Sequence, residues 1–374
     1  MMSTGKILIV GGYGHVGSGI ARRLAALFPG RVSVGGRDIG RATAAALAVG
    51  HGAEGRVVDV SRNDLGVALE DVSATVVCID QRDTRFVEDC LSRGVHYVDI
   101  SACHGFLSRV EGLDPVARRA DSTAVLSVGV APGLTNLLAA RAVQHMVRVD
   151  RLDLLVELGV GDRHGPAAVE WMLENLDARF EVREGGQVRS VRSFGEAIRL
   201  GFPGQPAKSA YRFDFPDQHV LSRTLAIPEV STWVRFASPM LTWVMAKLAL
   251  IGIGRRSSWV RRAVRRTFRL VHVGSDRCAV AVRARGVTMD GDDTLLLGLE
   301  GRQEARMTSI VAAETVRQVL TGDLAPGVFH SEQVISFEPV IDALQEQVGG
   351  IRVTISPAKG EVPTPVRAAG GIGR

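Results

Sequence analysis

Six short apolar runs alternate with helical segments between residues 6 and 133, and no other feature constrains the fold as strongly. The runs read KILIVGG, RVSVGG, GRVVDV, SATVVCID, VHYVDIS and STAVLSVGVAPG. Runs of this length, rich in Val and bounded by Gly, are typical of buried strands. Because strands that alternate with helical crossovers pair in parallel, we predict an α/β fold with a doubly wound, mostly parallel sheet.

The first run leads into a turn that is unusually rich in glycine. Residues 7–17 read ILIVGGYGHVG, so Gly12, Gly14 and Gly17 have the spacing G-x-G-x-x-G between a strand and a helix. Glycine lets the backbone approach a pyrophosphate closely, and the helix N-terminus supplies free N–H groups. The turn therefore predicts a dinucleotide site, whose residues are Gly12, Tyr13, Gly14, His15, Val16 and Gly17.

The end of the second run indicates which dinucleotide binds. Arg37 stands 20 residues after Gly17, where the adenosine ribose is recognised in such domains. A guanidinium suits the 2′-phosphate of NADP, and Arg41 adds positive charge nearby. Asp38 is the competing signal for NAD, and Arg37 as a solvated loop charge is the alternative without function. We predict NADP as the cofactor.

Polar residues also follow the third and fourth runs. Ligands of open parallel sheets bind at the carboxyl ends of the strands. We therefore expect Asp59 and Val60 to lie against the adenine. Ile79, Asp80 and Gln81 should lie beside the ribose on the nicotinamide side.

Length and composition favour more than one domain. The chain has 374 residues, of which 46% are hydrophobic and 23% charged, so it is globular and exceeds the usual single core. RLDLLVELGV and RCAVAVRARG predict antiparallel strands in a second domain. We predict a nucleotide domain at 1–133 and 304–355, an inserted α+β substrate and dimerisation domain at 134–303, and a loose tail at 356–374.

The N-terminus and the cysteines indicate where the protein is found and which kinds of site to expect. MMSTGKILIV enters the first strand at once and lacks the apolar segment and cleavage site of a secretory signal, so we expect a cytoplasmic protein. The four cysteines have no C-x-x-C or paired spacing, so we predict neither a metal site nor a disulfide framework. They are Cys78, Cys90, Cys103 and Cys278.

Together, several of these stretches resemble the saccharopine dehydrogenase-like family of NADP-binding Rossmann oxidoreductases, which carry an inserted substrate domain. The stretches are ILIVGGYGHVG, VGGR, VVDV, GVHYVDIS and SVGVAPGLTNLLA, and the later GVF…FEPVIDAL is similar to the family's return to its first domain. The resemblance is specific over about residues 6 to 140. It implies hydride transfer between NADPH and a C–N centre, which means imine reduction or secondary amine oxidation.

The chain departs from the family in one loop. Members often carry a small-Gly-Pro-aromatic turn after the fourth strand, whereas this chain has CIDQRD at residues 78–83. A charged loop facing the substrate argues against saccharopine itself and makes Arg82 a candidate substrate-binding residue. The family also includes members resembling enoyl reductases of lipid pathways, so a lipid-linked substrate is one alternative. A regulator that senses NADP without turnover is another.

Two loops offer groups for proton transfer and substrate binding. After the fifth strand, ISACHGF supplies Ser101, Cys103 and His104 at the carboxyl edge of the sheet. In the second domain, Arg163 and His164 precede a helix that begins at Pro166, where Arg163 could pair with a substrate carboxylate. We assign catalytic roles to Ser101, His104 and His164. A packed thiol at Cys103 and polar turns without function are the alternatives.

Residues 239–269 combine an apolar stretch with a basic one. MLTWVMAKLALIGI is short for a membrane span and contains Lys247. Seven arginines follow between Arg255 and Arg269, with Val260, Val264 and Phe268 on another helical face. Three interpretations stay open: a solvated face beside a core helix, a contact in a homodimer, and peripheral contact with a membrane. No nucleic-acid-binding fold accompanies the charge, so we expect a small-molecule substrate and no nucleic acid.

Overall fold

A computed structural model describes residues 5–62, 66–159, 161, 166–252, 275–348 and 350–357. The chain divides into two compact units. The first contains residues 1–137 and 305–347, and the second contains residues 138–304 and 348–374.

The first unit contains a seven-stranded sheet in which all neighbouring strands are parallel. Its strands, in the spatial order β15-β6-β5-β4-β1-β2-β3, come from seven segments of the chain. These are β1 (Lys6–Val10), β2 (Val32–Gly36), β3 (Glu54–Val57), β4 (Val72–Val77), β5 (His96–Asp99), β6 (Thr123–Leu126) and β15 (Gly327–His330). The predicted doubly wound sheet is confirmed, and its order reverses between β1 and β4, where such sheets bind ligands.

Helices connect the strands of this sheet. They are α1 (His15–Leu27), α2 (Ile39–Val49), α3 (Arg85–Ser92), α4 (His104–Glu111), α5 (Asp114–Arg119) and α10 (Glu304–Thr321), and α11 (Ser331–Val334) and α12 (Phe337–Val348) follow the last strand. Helix α6 (Thr135–Gln144) begins in the first unit, and its residues 138–144 belong to the second. Most of the strands are largely apolar because both faces of the sheet are covered, and Ile7, Leu8 and Ile9 are fully buried. Polar side chains are therefore concentrated where the strands end.

The second unit is built on a mixed seven-stranded sheet with the order β10-β11-β12-β7-β13-β14-β16. Its strands are β7 (Arg148–Leu158), β10 (Ala197–Leu200), β11 (Lys208–Arg212), β12 (Glu229–Phe236), β13 (Arg277–Thr288), β14 (Gly291–Arg302) and β16 (Arg352–Pro357). As predicted, β7 and β13 are antiparallel. The unit also contains the hairpin β8 (Arg179–Glu184) and β9 (Gln187–Arg192), and the helices α7 (Pro166–Glu174), α8 (Pro216–Thr224) and α9 (Pro239–Leu250).

The end of the chain differs from the expectation in one respect. β16 contains residues 352–355, which the sequence assigned to the nucleotide domain, and residues 356–357, which it assigned to the loose tail. This strand pairs with β14 in the second sheet. The exposed edge of β14 offers unpaired backbone groups, which an added strand satisfies. Residues 358–374 of the predicted tail and residues 253–274 of the basic stretch lie outside the described residues. Among the described helices, none is both long and apolar enough to cross a membrane.

Candidate active site

The turn after β1 is shaped by its glycines. Gly11 has a φ of +77°, a conformation that glycine adopts at little cost. A side chain at Gly17, in the first turn of α1, would overlap the carbonyl oxygen of Gly11. At Gly12, a Cβ would lie 2.8 Å from the carbonyl oxygen of Ile9. The glycines thus allow α1 to begin directly against the turn.

This turn presents backbone groups rather than side chains. Gly14 and His15 are exposed where α1 begins, and Val16 is half-buried. The first turn of α1 contains no acidic residue. A helix N-terminus with free N–H groups and no carboxylate attracts anions, so the geometry fits a pyrophosphate.

At the end of β2, the acidic residue has a structural role. Oδ1 of Asp38 accepts the backbone N–H of Arg41 at 3.0 Å, so this carboxylate caps α2. The guanidinium of Arg41 lies 4.4 Å from the centre of the Tyr13 ring. A side chain at Gly36 would overlap the same ring. Arg37 and Arg41 are both exposed, so this corner offers positive charge around an aromatic ring.

The loop after β3 extends the positive corner. The backbone N–H and the hydroxyl of Ser61 donate to Oδ1 of Asp59 at 3.1 and 2.7 Å. These hydrogen bonds lower the pKa of Asp59, and the charges of Arg37 and Arg62 lower it further. Asp59 is therefore held near Arg37. Val60 is half-buried and packs against the core of the first unit.

The loop after β4 reaches back to the glycine turn. Ile79 and Asp80 are exposed. A Cβ at Gly11 would lie 2.7 Å from Cγ2 of Ile79, so this side chain stands beside the turn. The structure thus brings the predicted residues of β1 and β4 together. Arg82 is exposed further along the same loop.

A buried polar cluster joins the ends of β4 and β5. Nε2 of Gln81 donates to the hydroxyl of Tyr97 at 2.6 Å, and that hydroxyl donates to Oδ2 of Asp99. The backbone N–H of Ser101 donates to Oδ1 of Asp99 at 2.6 Å. Oε1 of Gln81 is buried and has no hydrogen-bond partner among the described residues. The cluster therefore ends in a buried acceptor that has no protein partner among the described residues.

The electrostatics of this cluster centre on Asp99, which is 1% exposed. Burial raises the pKa of Asp99 to about 6, with a further contribution from the negative charge of Asp80. The hydrogen bonds from Tyr97 and Ser101 act in the opposite direction. A carboxyl group with this pKa changes its charge close to neutral pH.

The predicted proton-transfer residues follow directly after this cluster. Ser101 is half-buried, and its hydroxyl accepts the backbone N–H of Cys103 at 3.2 Å. His104 is the first residue of α4 and is half-buried, whereas Cys103 is exposed. Ser101 therefore lies next to Asp99, at the same edge of the sheet as the glycine turn.

A second buried group fixes α4, and sequence reasoning missed it. His330 at the end of β15 lies 2.7 Å through Nδ1 from Oγ of Ser127 and 3.0 Å through Nε2 from Oε1 of Glu111. A serine, a histidine and a carboxylate in this order resemble a hydrolytic triad. Ser127 is fully buried, however, so no substrate reaches its hydroxyl. The group ties α4 to β6 and β15.

The sequence contained one signal for the Gln81 cluster. Tyr97 and Asp99 alternate with apolar residues in VHYVDIS, although the neighbouring strands β4 and β6 contain no charged residue. Two polar side chains on one face of a central strand must be paired when buried. The predicted residues Arg163 and His164 lie outside the described residues. Among the described residues, no group of three His, Cys, Asp or Glu side chains could hold a metal ion.

Comparison with known families gives one match. Residues 7–125 match the family described as the saccharopine dehydrogenase NADP binding domain. The matched segment runs from β1 to β6 and includes the glycine turn, Arg37 and the Gln81 cluster. The first unit therefore contains an NADP-binding domain, as predicted. No curated protein matches the chain.

Solved structures give a likeness of fold. An apo saccharopine dehydrogenase (L-Glu forming) from Saccharomyces cerevisiae is 16% identical with a TM-score of 0.61, and the match covers 95% of this chain and all of that one. A C. glutamicum DAP dehydrogenase in complex with DAP is 14% identical, with a TM-score of 0.46 and coverage of 92% and 99%. The first of these two shares the overall fold with this chain.

Proposed function

We propose that this chain is an NADP-dependent oxidoreductase of the saccharopine dehydrogenase-like family and that it moves a hydride between NADPH and a C–N centre. The match of residues 7–125 to the saccharopine dehydrogenase NADP binding domain supports the proposal. The reaction reduces an imine to a secondary amine or runs in the reverse direction. NADPH supplies the hydride when it is bound. The chain then has to bind the dinucleotide, orient the substrate and manage a proton on nitrogen.

The fit of the chain to NADP supports the first of these tasks. The exposed start of α1 suits the pyrophosphate. Arg37 and Arg41 suit the 2′-phosphate, since guanidinium groups bind phosphate oxygens in a fork geometry. Because the carboxylate of Asp38 accepts the N–H of Arg41, it is occupied as a helix cap.

The observation that carries the proposal is the buried amide of Gln81. Tyr97 holds its Nε2, so its Oε1 is fixed near the carboxyl end of β4 as an unpaired acceptor. A buried acceptor without a partner costs about 1–3 kcal/mol, which a ligand donor recovers. Protonated imines and amines carry an N–H that can fill this position. A carbon–carbon double bond carries none.

The remaining roles follow from the same edge of the sheet. We assign Ser101 and His104 to proton exchange with the substrate nitrogen, and Arg82 to a substrate carboxylate. Asp99 is a positioning residue, because it is buried and acts through Tyr97. Arg163 and His164 stay sequence-based candidates for the second unit.

The experiment is a screen of 2-keto acids and aldehydes paired with amines, in which NADPH oxidation is followed by the absorbance of the nicotinamide. We expect oxidation only when the carbonyl compound and the amine are both present. Gln81→Leu should lower kcat/KM by about 10- to 100-fold, the equivalent of one lost hydrogen bond in a buried site. Gln187→Leu, an exposed glutamine on β9, serves as the matched control and should leave kcat/KM unchanged.

Two results would replace the proposal. Oxidation of NADPH by conjugated enoyl thioesters but by no amine pair would assign the protein to the enoyl-reductase alternative. Tight NADPH binding without oxidation by any pair would favour a regulator. If Gln81→Leu weakens NADPH binding and leaves the KM for the amine unchanged, Oε1 pairs with the cofactor instead of the substrate.

A further inference from the structure

Helix α9 has an inner face that belongs to the second unit. Thr242, Met245, Ala246 and Ala249 are buried. The hydroxyl of Thr242 accepts the backbone N–H of Phe236 at 2.9 Å, which joins the helix to β12. Pro239 begins the helix, and Ser238 caps it by accepting the N–H of Leu241 at 3.3 Å. These contacts hold the helix in place, and the residues on its opposite side take no part in them.

The opposite side of α9 exposes large apolar residues. Met240 is 75% exposed, Trp243 57%, Leu250 43% and Ile251 55%. Trp243 lies three residues after Met240, Lys247 four residues after Trp243, and Leu250 and Ile251 three and four residues after Lys247. Side chains with this spacing lie on one face of a helix. We call these four residues together with Lys247 the outer face of α9. Single exposed apolar residues are ordinary, but a continuous row of this size marks an interaction surface.

The outer face of α9 carries a positive charge at Lys247. The ammonium group of Lys247 lies 5.6 Å from the ring centre of Trp243, in the middle of the row. The sequence contains no Asp or Glu between Glu229 and Asp276. It does contain the seven arginines of residues 255–269, which lie outside the described residues. A partner of this face must accept apolar side chains and carry negative charge.

We propose that the outer face of α9 binds an anionic membrane surface. A tryptophan beside a lysine suits the boundary between lipid headgroups and acyl chains, since both side chains combine an apolar body with a polar end. A helix of 12 residues is about 18 Å long, which is too short to span the hydrocarbon core. The helix therefore lies in the plane of the membrane surface, with its row of apolar residues inserted.

A second copy of the chain is a poorer occupant. In a two-fold interface the same patch meets itself. Lys247 near the middle of the row would then lie opposite the same lysine of the other copy. Like charges placed opposite each other oppose association.

Flotation of the full chain with lipid vesicles tests the proposal. We expect the protein to float with phosphatidylcholine vesicles that contain phosphatidylglycerol and to stay behind with phosphatidylcholine alone, because surface cations attract anionic lipid. Added salt should reduce flotation. The triple variant Met240→Gln, Trp243→Gln and Ile251→Gln should reduce the bound fraction about tenfold.

A matched control exists in equally exposed apolar residues elsewhere. Leu47, Val67 and Met289 are 77%, 80% and 91% exposed, and their triple replacement by Gln should float like the unchanged protein. An unchanged unfolding transition of both variants shows that they fold, and an unchanged NADPH affinity separates this test from the proposed reaction.

Three results would overturn the proposal. They are no flotation with anionic vesicles at low salt, equal flotation of both triple variants, and a loss of self-association in the outer-face variant without any flotation. The last result would assign the face to a second copy of the chain.

Discussion

Asp99 in the first unit and Asp153 in the second are both almost inaccessible to solvent, yet their pKa values move in opposite directions. Asp99 is 1% exposed and Asp153 is 0% exposed. Burial raises the pKa of Asp99 to about 6. Burial also acts to raise the pKa of Asp153, but the charges of Arg283 and Arg151 outweigh it and hold that pKa below the usual value.

The surroundings of Asp153 explain its low pKa. The guanidinium of Arg283 donates to Oδ2 at 2.7 Å, and Arg285 donates to the same oxygen at 3.2 Å. Arg151 and the indole N–H of Trp233 donate to Oδ1 at 3.2 and 3.0 Å. Every lone pair of the carboxylate has a donor, so Asp153 is saturated by the protein itself.

The surroundings of Asp99 differ in kind. Its hydrogen-bond partners Tyr97, Gln81 and Ser101 are uncharged groups, and the charged residue that contributes to its pKa is the acidic Asp80. Among the described residues, no cation offsets the cost of burying its negative charge. The contrast teaches that a buried carboxylate with complete ion pairs stays charged, whereas one with neutral partners at the end of a strand changes its charge near neutral pH and is a candidate functional group.

Removing the negative charge of Asp153 should have the largest effect. Asp153→Asn leaves the buried guanidinium of Arg283 without a counter-charge, which costs about 3–5 kcal/mol of unfolding free energy. Denaturant unfolding followed by tryptophan fluorescence measures this, because Trp171, Trp233, Trp243 and Trp259 all fall in the second unit. The cost should shrink as the pH falls, since a carboxyl with a lowered pKa stabilises the fold only while it is charged.

The control for this variant is an exposed ion pair on the same strand. Asp150 accepts Nε of Arg148 at 2.8 Å, and both side chains are at least half exposed. Asp150→Asn should cost less than about 1 kcal/mol, because exposed pairs contribute little. Equal costs for the two variants would contradict the distinction between the two kinds of carboxylate.

The pH dependence of Asp99 should be the second largest effect. Its folded pKa of about 6 lies above the unfolded value, so its protonated form stabilises the folded state at low pH, and this stability is lost as the pH rises through about 4 to 6. Asp99→Asn should lack that loss. Relative to the unchanged protein, the variant should gain about 2 kcal/mol between about pH 4.5 and about pH 8.

Calorimetric unfolding at the two pH values measures this difference. Asp80→Asn sharpens the test, because it removes the neighbouring negative charge and should shift the window to lower pH. A pH-independent difference between Asp99→Asn and the unchanged protein would mean that Asp99 is already charged throughout this range.

The sequence predicted the first sheet well because its signals are local. Each strand is a continuous apolar run, and Gly12, Gly14 and Gly17 define one turn. The placement of Gln81 beside the ribose on the nicotinamide side stays a prediction. The cluster around Gln81 depends on how β4 and β5 align in the sheet, and these strands are separated in the chain by α3. The spacing of residues in the sequence therefore did not predict the hydrogen-bond partners of Asp99.

The second sheet was harder to predict because its strands alternate charged and apolar residues. Arg283 and Asp153 are 130 residues apart, and each by itself suggests an exposed position. Only pairing across strands explains how both are buried. The same limit applies to the Glu111, Ser127 and His330 group, whose members meet from α4, β6 and β15.

The smallest effects concern Arg37 and Asp38, which are adjacent in sequence and differ in role. Arg37→Ala should weaken NADPH binding about tenfold and leave NADH binding unchanged, because only NADPH carries the 2′-phosphate. Asp38→Ala should instead cost about 1 kcal/mol of stability, since it removes the cap of α2. Fluorescence titration with both dinucleotides measures the two affinities, and Arg22→Ala on the exposed side of α1 is the control. A specific loss of NADH binding in Asp38→Ala would show that this carboxylate holds a ribose in addition to capping α2.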